Sequence, residues 1–280
     1  MRYLILTASA GVSDELAGRA CRLVAGDLNR LSGSAVEIAF SGDVPADFLT
    51  DAAVDINIVS AENRRKKLLI ADMDSTMIPV ECIDELADFA GVKEQVSDIT
   101  ERSMRGELGF EESIIARVAL LTDLPEAVLE KCYAERVSLN PGAKTLVQTM
   151  NKIGAMTALV SGGFVFFTSR VAGETGFQLN QANTLIVRDG KLTGKVGMPI
   201  LGQQAKLETL NALCKSGGYA PEDVLAVGDG ANDRSMVEAA GLGVAYHAKP
   251  TLADIADARL YHSDLTALLA LQGIAERDYA

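Results

Sequence analysis

The sequence predicts an α/β protein: a parallel sheet covered on both faces by helices, split by a helical insertion and preceded by a small α+β unit. Three patterns carry this. Short apolar runs recur at Leu68–Ala71, Ala155–Val160, Val224–Val227, Leu242–Ala245 and Arg259–Tyr261, with amphipathic stretches between them, as strands buried on both faces require. Between residues 79 and 137 helical periodicity continues with no comparable strand run. Residues 1–63 instead read strand, helix, then two more short strands. At roughly 150 residues per domain, the 280 residues leave room for about two domains. The expected division is 1–63 and 64–280, with the insertion at 79–137.

Taken in order, residues 3–8 form a strand, and Ser13 caps a helix running to about Arg30, with Leu16, Ala20, Leu23 and Val24 on one face. The first residues, with Ala8-Ser-Ala10 behind them, faintly resemble a signal peptide. Their apolar stretch falls short of the roughly 7–15 residues such a segment needs, and the basic region is one arginine. A first strand and a cytoplasmic location are expected. Ser34–Phe40 and Asp55–Val59 add strands, and Glu62-Asn-Arg-Arg-Lys-Lys67 reads as a solvated linker rather than a nucleic-acid contact. A helix opens with Pro79 in its first turn and ends near Gly91, with Ile83, Leu86, Ala87 and Ala90 inward. Ala182–Val187 and Leu192–Val196, joined by Arg188-Asp-Gly-Lys191, predict a hairpin flap beside the main sheet.

The charge balance bounds the partners. A net charge of −12 repels polyanions, so neither nucleic acid nor an anionic membrane is expected, and no apolar run approaches the ~20 residues of a spanning helix. A small anionic substrate remains compatible where local cations or a metal reverse the field. The four cysteines (Cys21, Cys82, Cys132, Cys214) form no C-x-x-C pair and read as reduced thiols; the two histidines are not near them.

The chemistry concentrates at strand ends. In Leu68-Leu-Ile-Ala-Asp72-Met-Asp74-Ser-Thr76 two carboxylates and a hydroxyl follow a buried strand, at the sheet edge where ligands bind. Such a pair needs a positive neighbour, which a hard divalent cation supplies. Rival motifs fail on their residues. An EF-hand would need Asp or Asn at 76, Gly at 77 and Glu at 83, where Thr76, Met77 and Ile83 stand. A dinucleotide fingerprint at Gly228-Asp-Gly230 meets Asp233 instead of its last glycine, and a serine-hydrolase elbow at Ser161 meets Leu159. The chain has no Walker-type phosphate loop.

Val224-Leu-Ala-Val-Gly228-Asp229-Gly-Ala-Asn232-Asp233 is a second strand ending in carboxylates. Alone it is equally a turn and helix cap; beside Asp72 and Asp74 it points to a shared metal site. Ser161-Gly162-Gly163, at another strand end and leading into a helix, offers a hydroxyl, backbone N–H groups and a helix dipole to an anion. Lys206 lies near the start of a helix with Leu207, Leu210 and Leu213 inward. A helical lysine is ordinarily a surface residue, but this constellation asks for a cation facing a phosphate.

These four segments closely resemble the motifs of the haloacid dehalogenase superfamily: Asp72-x-Asp74-x-Thr76, Ser161, Lys206 and Gly228-Asp229-Gly-x-Asn232-Asp233, in the family's order across residues 68–280. The longer run from Asp72 to Glu81 resembles its phosphoserine phosphatases. The resemblance implies a Rossmann-like parallel sheet with a helical cap. Asp72 would be the nucleophile that becomes an aspartyl-phosphate, and Asp74 the acid that protonates the leaving oxygen and later activates water. Mg²⁺ would be held by Asp72, Asp229 and the Asp74 backbone carbonyl, with Asp233 behind them. The Ser161 hydroxyl, the Gly162 amide and Lys206 would cradle the phosphate, with Asn232 also among the substrate-binding residues.

A fold does not name a substrate, so selectivity is sought in the insertion. Glu81 has Asp84 and Glu85 as its helical neighbours and no cation, which fits a solvated acidic face. Arg117, beside Ser113, Ile114, Leu120 and Leu121, has no local acid; it either snorkels to water or meets an anion from elsewhere. The resemblance assigns Glu81 to a substrate ammonium, Arg117 to its carboxylate, and Met104 and Phe110 to an apolar lining that is also cap core. The implied small-molecule substrate is O-phospho-L-serine, released as L-serine and phosphate at the end of serine synthesis. Another phosphomonoester, transfer to an alcohol, and a phospho-accepting signalling module are the rivals. Arg234 stands where a smaller residue is expected and could alter packing behind the metal. Residues 1–63 look like a partial ACT-type regulatory fold, which leaves serine binding and a homodimer open.

Overall fold

The structure, a computed structural model, describes residues 1–44, 53–104 and 107–280, with Met104 described by its backbone alone. It begins with β1 (Arg2–Thr7), α1 (Asp14–Val24), β2 (Asp27–Ser32), β3 (Ala35–Phe40) and β4 (Asp55–Ser60). These strands form an antiparallel sheet of order β2-β3-β1-β4, the course of a split βαβ arrangement. Period-two alternation sorts its faces. Leu4, Leu6, Val36 and Ile38 pack with Ala17, Ala20 and Val24 of α1, while Ile5, Ala35 and Val59 join the main core.

The first helix stops at Val24, short of the expected Arg30. Ser13 caps its start by accepting the Leu16 N–H at 3.2 Å, but Ala25 turns left-handed (φ 50°). Gly26 then passes so close to β3 that a Cβ would lie 2.4 Å from the Ala39 carbonyl oxygen. From Asp27 pairing with β3 replaces the helix. In that strand only Leu31 is buried and Leu28 is 41% exposed, so no apolar alternation marks it in the sequence.

The chain continues through β5 (Leu68–Ala71), α2 (Cys82–Ala90), α3 (Lys93–Met104), α4 (Phe110–Ala119), α5 (Ala127–Arg136) and α6 (Ala143–Lys152). Next come β6 (Met156–Phe164), α7 (Val165–Thr175), β7 (Leu179–Asn183), β8 (Leu185–Arg188), β9 (Lys191–Val196) and α8 (Gln203–Gly217). The last elements are β10 (Val224–Gly228), α9 (Arg234–Ala239), β11 (Leu242–Tyr246), α10 (Pro250–Ala253), β12 (Ala258–Leu260) and α11 (Ala267–Leu271). The main sheet is parallel throughout, in the order β12-β11-β10-β5-β6-β7. Every residue of β5 and β10 is buried, as central strands covered on both faces must be. This order sets the carboxyl ends of β10, β5 and β6 side by side.

Four further expectations need correction. The hairpin is shorter than predicted: β8 and β9 turn through Asp189 (φ 52°) and Gly190 (φ 72°), both left-handed as a type I′ turn demands. Residues 182–183 belong instead to β7, a polar edge strand of the main sheet, which the sequence disguises. Pro79 lies outside the helix, because residues 77–78 fold back to the Met73 carbonyl (2.8 and 3.1 Å) and α2 starts only after Glu81; Gly91 ends it as expected. Strand β6 runs through both glycines, so α7 begins at Val165 and not at the Gly-Gly pair.

The last correction concerns the basic stretch at 62–67, which is not simply solvated. Arg64 donates to the Leu271 and Ala270 carbonyls at the end of α11 (2.8 and 3.1 Å), pairs with Glu37 of β3 at 2.6 Å and lies over the Tyr3 ring. Lys66 is 6% exposed and donates to the Glu222 carbonyl at 2.7 Å. Helix α11, buried along its whole length, thus serves both sheets. Side chains of β4 also close the β12 edge: Asn57 exchanges hydrogen bonds with the Arg259 backbone (3.0 and 2.8 Å), and Asp55 accepts from the Tyr261 N–H and the Ser263 hydroxyl (2.7 and 2.6 Å). Among the described residues no helix is long and apolar enough to cross a membrane.

Candidate active site

The Asp72 N–H extends the β5 ladder by one rung to the Val227 carbonyl of β10 (3.0 Å), which sets its carboxylate at the sheet edge. Asp72 Oδ1 accepts the Met73 N–H at 2.7 Å. Its Oδ2 lies 2.8 Å from Lys206 Nζ and 3.4 Å from Asn232 Nδ2. Lys206 projects inward from the first turns of α8, is 1% exposed, and donates to Asp233 Oδ1 at 2.6 Å. Burial alone would lower the ammonium's pKa, but Asp233 and then Asp72 outweigh it and hold it above the ordinary lysine value.

Three of the four expected metal-holding residues converge. Asp72, Asp229 and Asp233 each present an oxygen, all within 4.8 Å of one another. Asp233 is engaged on both sides, by Lys206 and by the Asp229 and Gly230 N–H groups (3.2 Å each). Gly228 makes room for it, since a Cβ there would fall 2.3 Å from Asp233 Cγ. Asp229 is different: among the described residues its carboxylate has only a 3.5 Å contact from the Thr76 hydroxyl. Burial, then Asp72 and Asp233, push its carboxyl up to about 8. A hard divalent cation fits this donor set: two carboxylates crowded together, one of them nearly unpaired, with a third braced behind.

Asp74 faces the opposite wall. Its Oδ1 accepts the Cys82 N–H at 3.1 Å and its Oδ2 accepts the Ser161 hydroxyl at 3.3 Å. Burial, followed by the charges of Glu81 and Asp72, raises its carboxyl to about 8. Ser161 in turn accepts the Gly163 N–H at 2.9 Å. Both glycines are dictated by neighbours: a Cβ on Gly163 would sit 2.4 Å from Asp74 Oδ2, and one on Gly162 3.0 Å from the Phe110 ring.

Glu81 caps α2 in position, and its Oε1 accepts the Ser75 hydroxyl at 2.7 Å. Arg117 of α4 is half-buried, donates to the Ser113 carbonyl at 3.3 Å, and makes no ion pair among the described residues. The acids that bear on its guanidinium are Asp84, Glu81 and Asp74, all from outside its own helix. Phe110 covers Gly162 and also Gly202, where a Cβ would come within 2.8 Å of its ring. The Met104 side chain lies outside the described residues. Arg234 points to solvent and pairs with Glu238 at 3.0 Å, away from the carboxylates. A cavity of about 550 Å³ touches Asp229 and Ser75 but extends away from Asp72 and Lys206, toward Ser9, His247, Tyr261 and His262.

The sequence reading missed two polar side chains here. Asn140 Nδ2 donates to the Thr76 carbonyl at 2.8 Å, bracing the loop after β5. Asn183 bridges Gly162 and Leu201 (2.9 and 3.1 Å) from the end of β7. Recognising β7 would have put Asn183 on the functional edge.

Residues 69–238 match the family model of the haloacid dehalogenase-like hydrolases. The chain belongs to that family. Among hydrolases of this kind it is 45% identical over 212 residues to a phosphoserine phosphatase of Archaeoglobus fulgidus, a match covering 76% of this chain and 61% of that protein. The chain therefore spans about three-fifths of the length of that relative. A phosphoserine phosphatase of Haemophilus influenzae is 42% identical over 86% of this chain and 74% of its own length. The crystal structure of a probable phosphoserine phosphatase from Vibrio cholerae superimposes with a TM-score of 0.83 at 32% identity, covering 99% of this chain and 88% of that one.

Proposed function

We propose that the protein is a Mg²⁺-dependent phosphomonoesterase that hydrolyses O-phospho-L-serine to L-serine and phosphate through a phosphoryl group carried on Asp72. The observation that carries this reading is the division of labour between two buried carboxyls. Asp72 lies 2.8 Å from a buried ammonium, whereas Asp74 accepts the Cys82 N–H and the Ser161 hydroxyl and its carboxyl is raised by burial. One is poised to attack phosphorus, the other to donate a proton.

In the first step an Asp72 oxygen bonds to phosphorus, the P–O bond to the serine oxygen breaks, and Asp74 protonates that oxygen as it leaves. In the second, Asp74 takes a proton from water, the water oxygen bonds to phosphorus, and the acyl-phosphate P–O bond returns its electrons to Asp72. Ser161, the Gly162 amide and Lys206 hold the phosphoryl oxygens through both steps, and Asn232 keeps Asp72 oriented. Asp72, Asp229 and the Asp74 carbonyl would hold Mg²⁺, with Asp233 bracing them. When bound, Mg²⁺ supplies charge neutralisation for the transferring phosphoryl group.

Glu81 and Arg117 would select the amino acid by its ammonium and carboxylate, and Phe110 and Met104 would close over it. In the same reading residues 64–280 are the catalytic domain, with residues 79–137 as its cap, and residues 1–63 form an ACT-like accessory domain of a cytoplasmic enzyme. The test is phosphate release from L-phosphoserine beside a panel of sugar, nucleotide and glycolate phosphates. Fast, chelator-sensitive release from phosphoserine alone is expected. Activity confined to other esters would overturn the substrate assignment.

A further inference from the structure

The chemistry above leaves one buried side chain at the phosphate grip without a role. Asn183 is 2% exposed and ends β7 at the functional edge of the sheet. Its Nδ2 donates to the Gly162 carbonyl at 2.9 Å and to the Leu201 carbonyl at 3.1 Å, and its Oδ1 accepts the Leu201 N–H at 2.7 Å. The carboxamide thus ties together the Ser161–Gly163 segment and the strand of chain that enters α8.

Both ends of this bridge lead to catalytic groups. The carbonyl of Gly162 shares its peptide unit with the Gly163 N–H, which donates to Ser161 Oγ at 2.9 Å; Ser161 Oγ donates to Asp74 Oδ2 at 3.3 Å. A donor on that carbonyl polarises the peptide and strengthens its N–H in turn. On the other side Leu201 precedes Gly202, whose carbonyl accepts the Lys206 N–H at 3.3 Å. The start of the helix that carries Lys206 is therefore set by the same side chain. Phe110 rests on both glycines so placed, Gly162 and Gly202.

We propose that Asn183 is a positioning residue that locks the phosphate-gripping Ser161–Gly163 segment and the Lys206 helix into one geometry. The assignment rests on the phosphatase reading. Only a carboxamide offers two donors and an acceptor in this plane: Asp would turn an acceptor toward two carbonyls, and Leu would leave all three backbone groups unpaired.

The test compares wild type with Asn183→Asp and Asn183→Leu, with rates normalised to folded protein by thermal melts. Two readouts are taken: kcat and KM for L-phosphoserine, and inhibition by vanadate, which fills the phosphoryl site and has no amino-acid part. Misplacing catalytic groups by a fraction of an ångström is expected to lower kcat about 30- to 100-fold. KM should change less than about threefold, and vanadate inhibition should weaken in parallel with kcat. Vanadate inhibition equal to wild type in both variants, or losses that vanish once corrected for folded protein, would overturn the assignment. If wild type released phosphate from no ester, the phosphatase reading itself would fail, an outcome distinct from normal turnover in the variants.

Discussion

Two clusters of paired opposite charges, each largely shielded from solvent, do different things. In one, Lys206 lies between Asp72 and Asp233, with Asp229 and Asp74 close by. In the other, Arg64 pairs with Glu37, caps α11 and lies over Tyr3. The difference is in the surplus. Arg64 meets one carboxylate and two helix-end carbonyls, one acid to one cation, with no acid in surplus. Around Lys206 the acids outnumber the cation, the carboxyls of Asp229 and Asp233 are pushed up, and Asp229 is nearly unpaired among the described residues. A charge-balanced cluster joins elements, whereas an acid-rich one at the carboxyl edge of a parallel sheet is prepared for a cation and an anion from outside.

Substitutions should separate the two. Lys206→Ala is expected to lower kcat about 10³-fold, as removal of a strong transition-state cation does. It should also lower the melting temperature by leaving buried acids uncompensated. Added divalent cation should recover part of that stability but not the rate; a melt insensitive to metal would place the cation site elsewhere. Arg64→Ala should show the reverse pattern, with about 3–5 kcal/mol lost in denaturant unfolding and turnover per folded molecule within about twofold of wild type. A collapse of kcat in correctly folded Arg64→Ala protein would erase the contrast.

Smaller effects sharpen it further. Arg117→Ala should raise KM for phosphoserine about 10- to 100-fold, the weight of a lost charge-assisted contact. Vanadate inhibition should stay as it was, because the cap reads the amino acid and not the phosphate. Arg234→Ala should do least, within about 0.5 kcal/mol in stability and with unchanged turnover, since it loses only an exposed pair with Glu238. Any marked loss of activity there would mean that the side chain reaches the metal-site carboxylates after all.

The same contrast explains what the sequence could reveal. Asp72, Asp74, Ser161, Asp229 and Asp233 were legible because each stands at the end of a run of fully buried apolar residues or within five residues after it, and nearness in sequence becomes nearness at the sheet edge. Lys206 was legible only through the family pattern, since nothing in its helix distinguishes it from a surface lysine. Arg64 and Lys66 were not legible. Their partners lie far along the chain, at Leu271 and Glu222, so a basic run looked like a solvated linker. β2 and β7 escaped for a related reason: both are edge strands of mostly polar residues, held by pairing and not by alternation. Missing β7 meant missing Asn183, and overrunning α1 hid the fourth strand of the N-terminal sheet.

The most direct test of the account is to stall the reaction between its two steps. Nitrophenolate leaves without an acid, whereas hydrolysis of an acyl-phosphate on Asp72 needs Asp74 to activate water. With Asp74→Asn and p-nitrophenyl phosphate, one nitrophenolate should be released per folded chain, and peptide mapping after acid quench should find one phosphoryl group, on Asp72. A phosphoryl group on another residue, or sustained turnover with none on the protein, would contradict it.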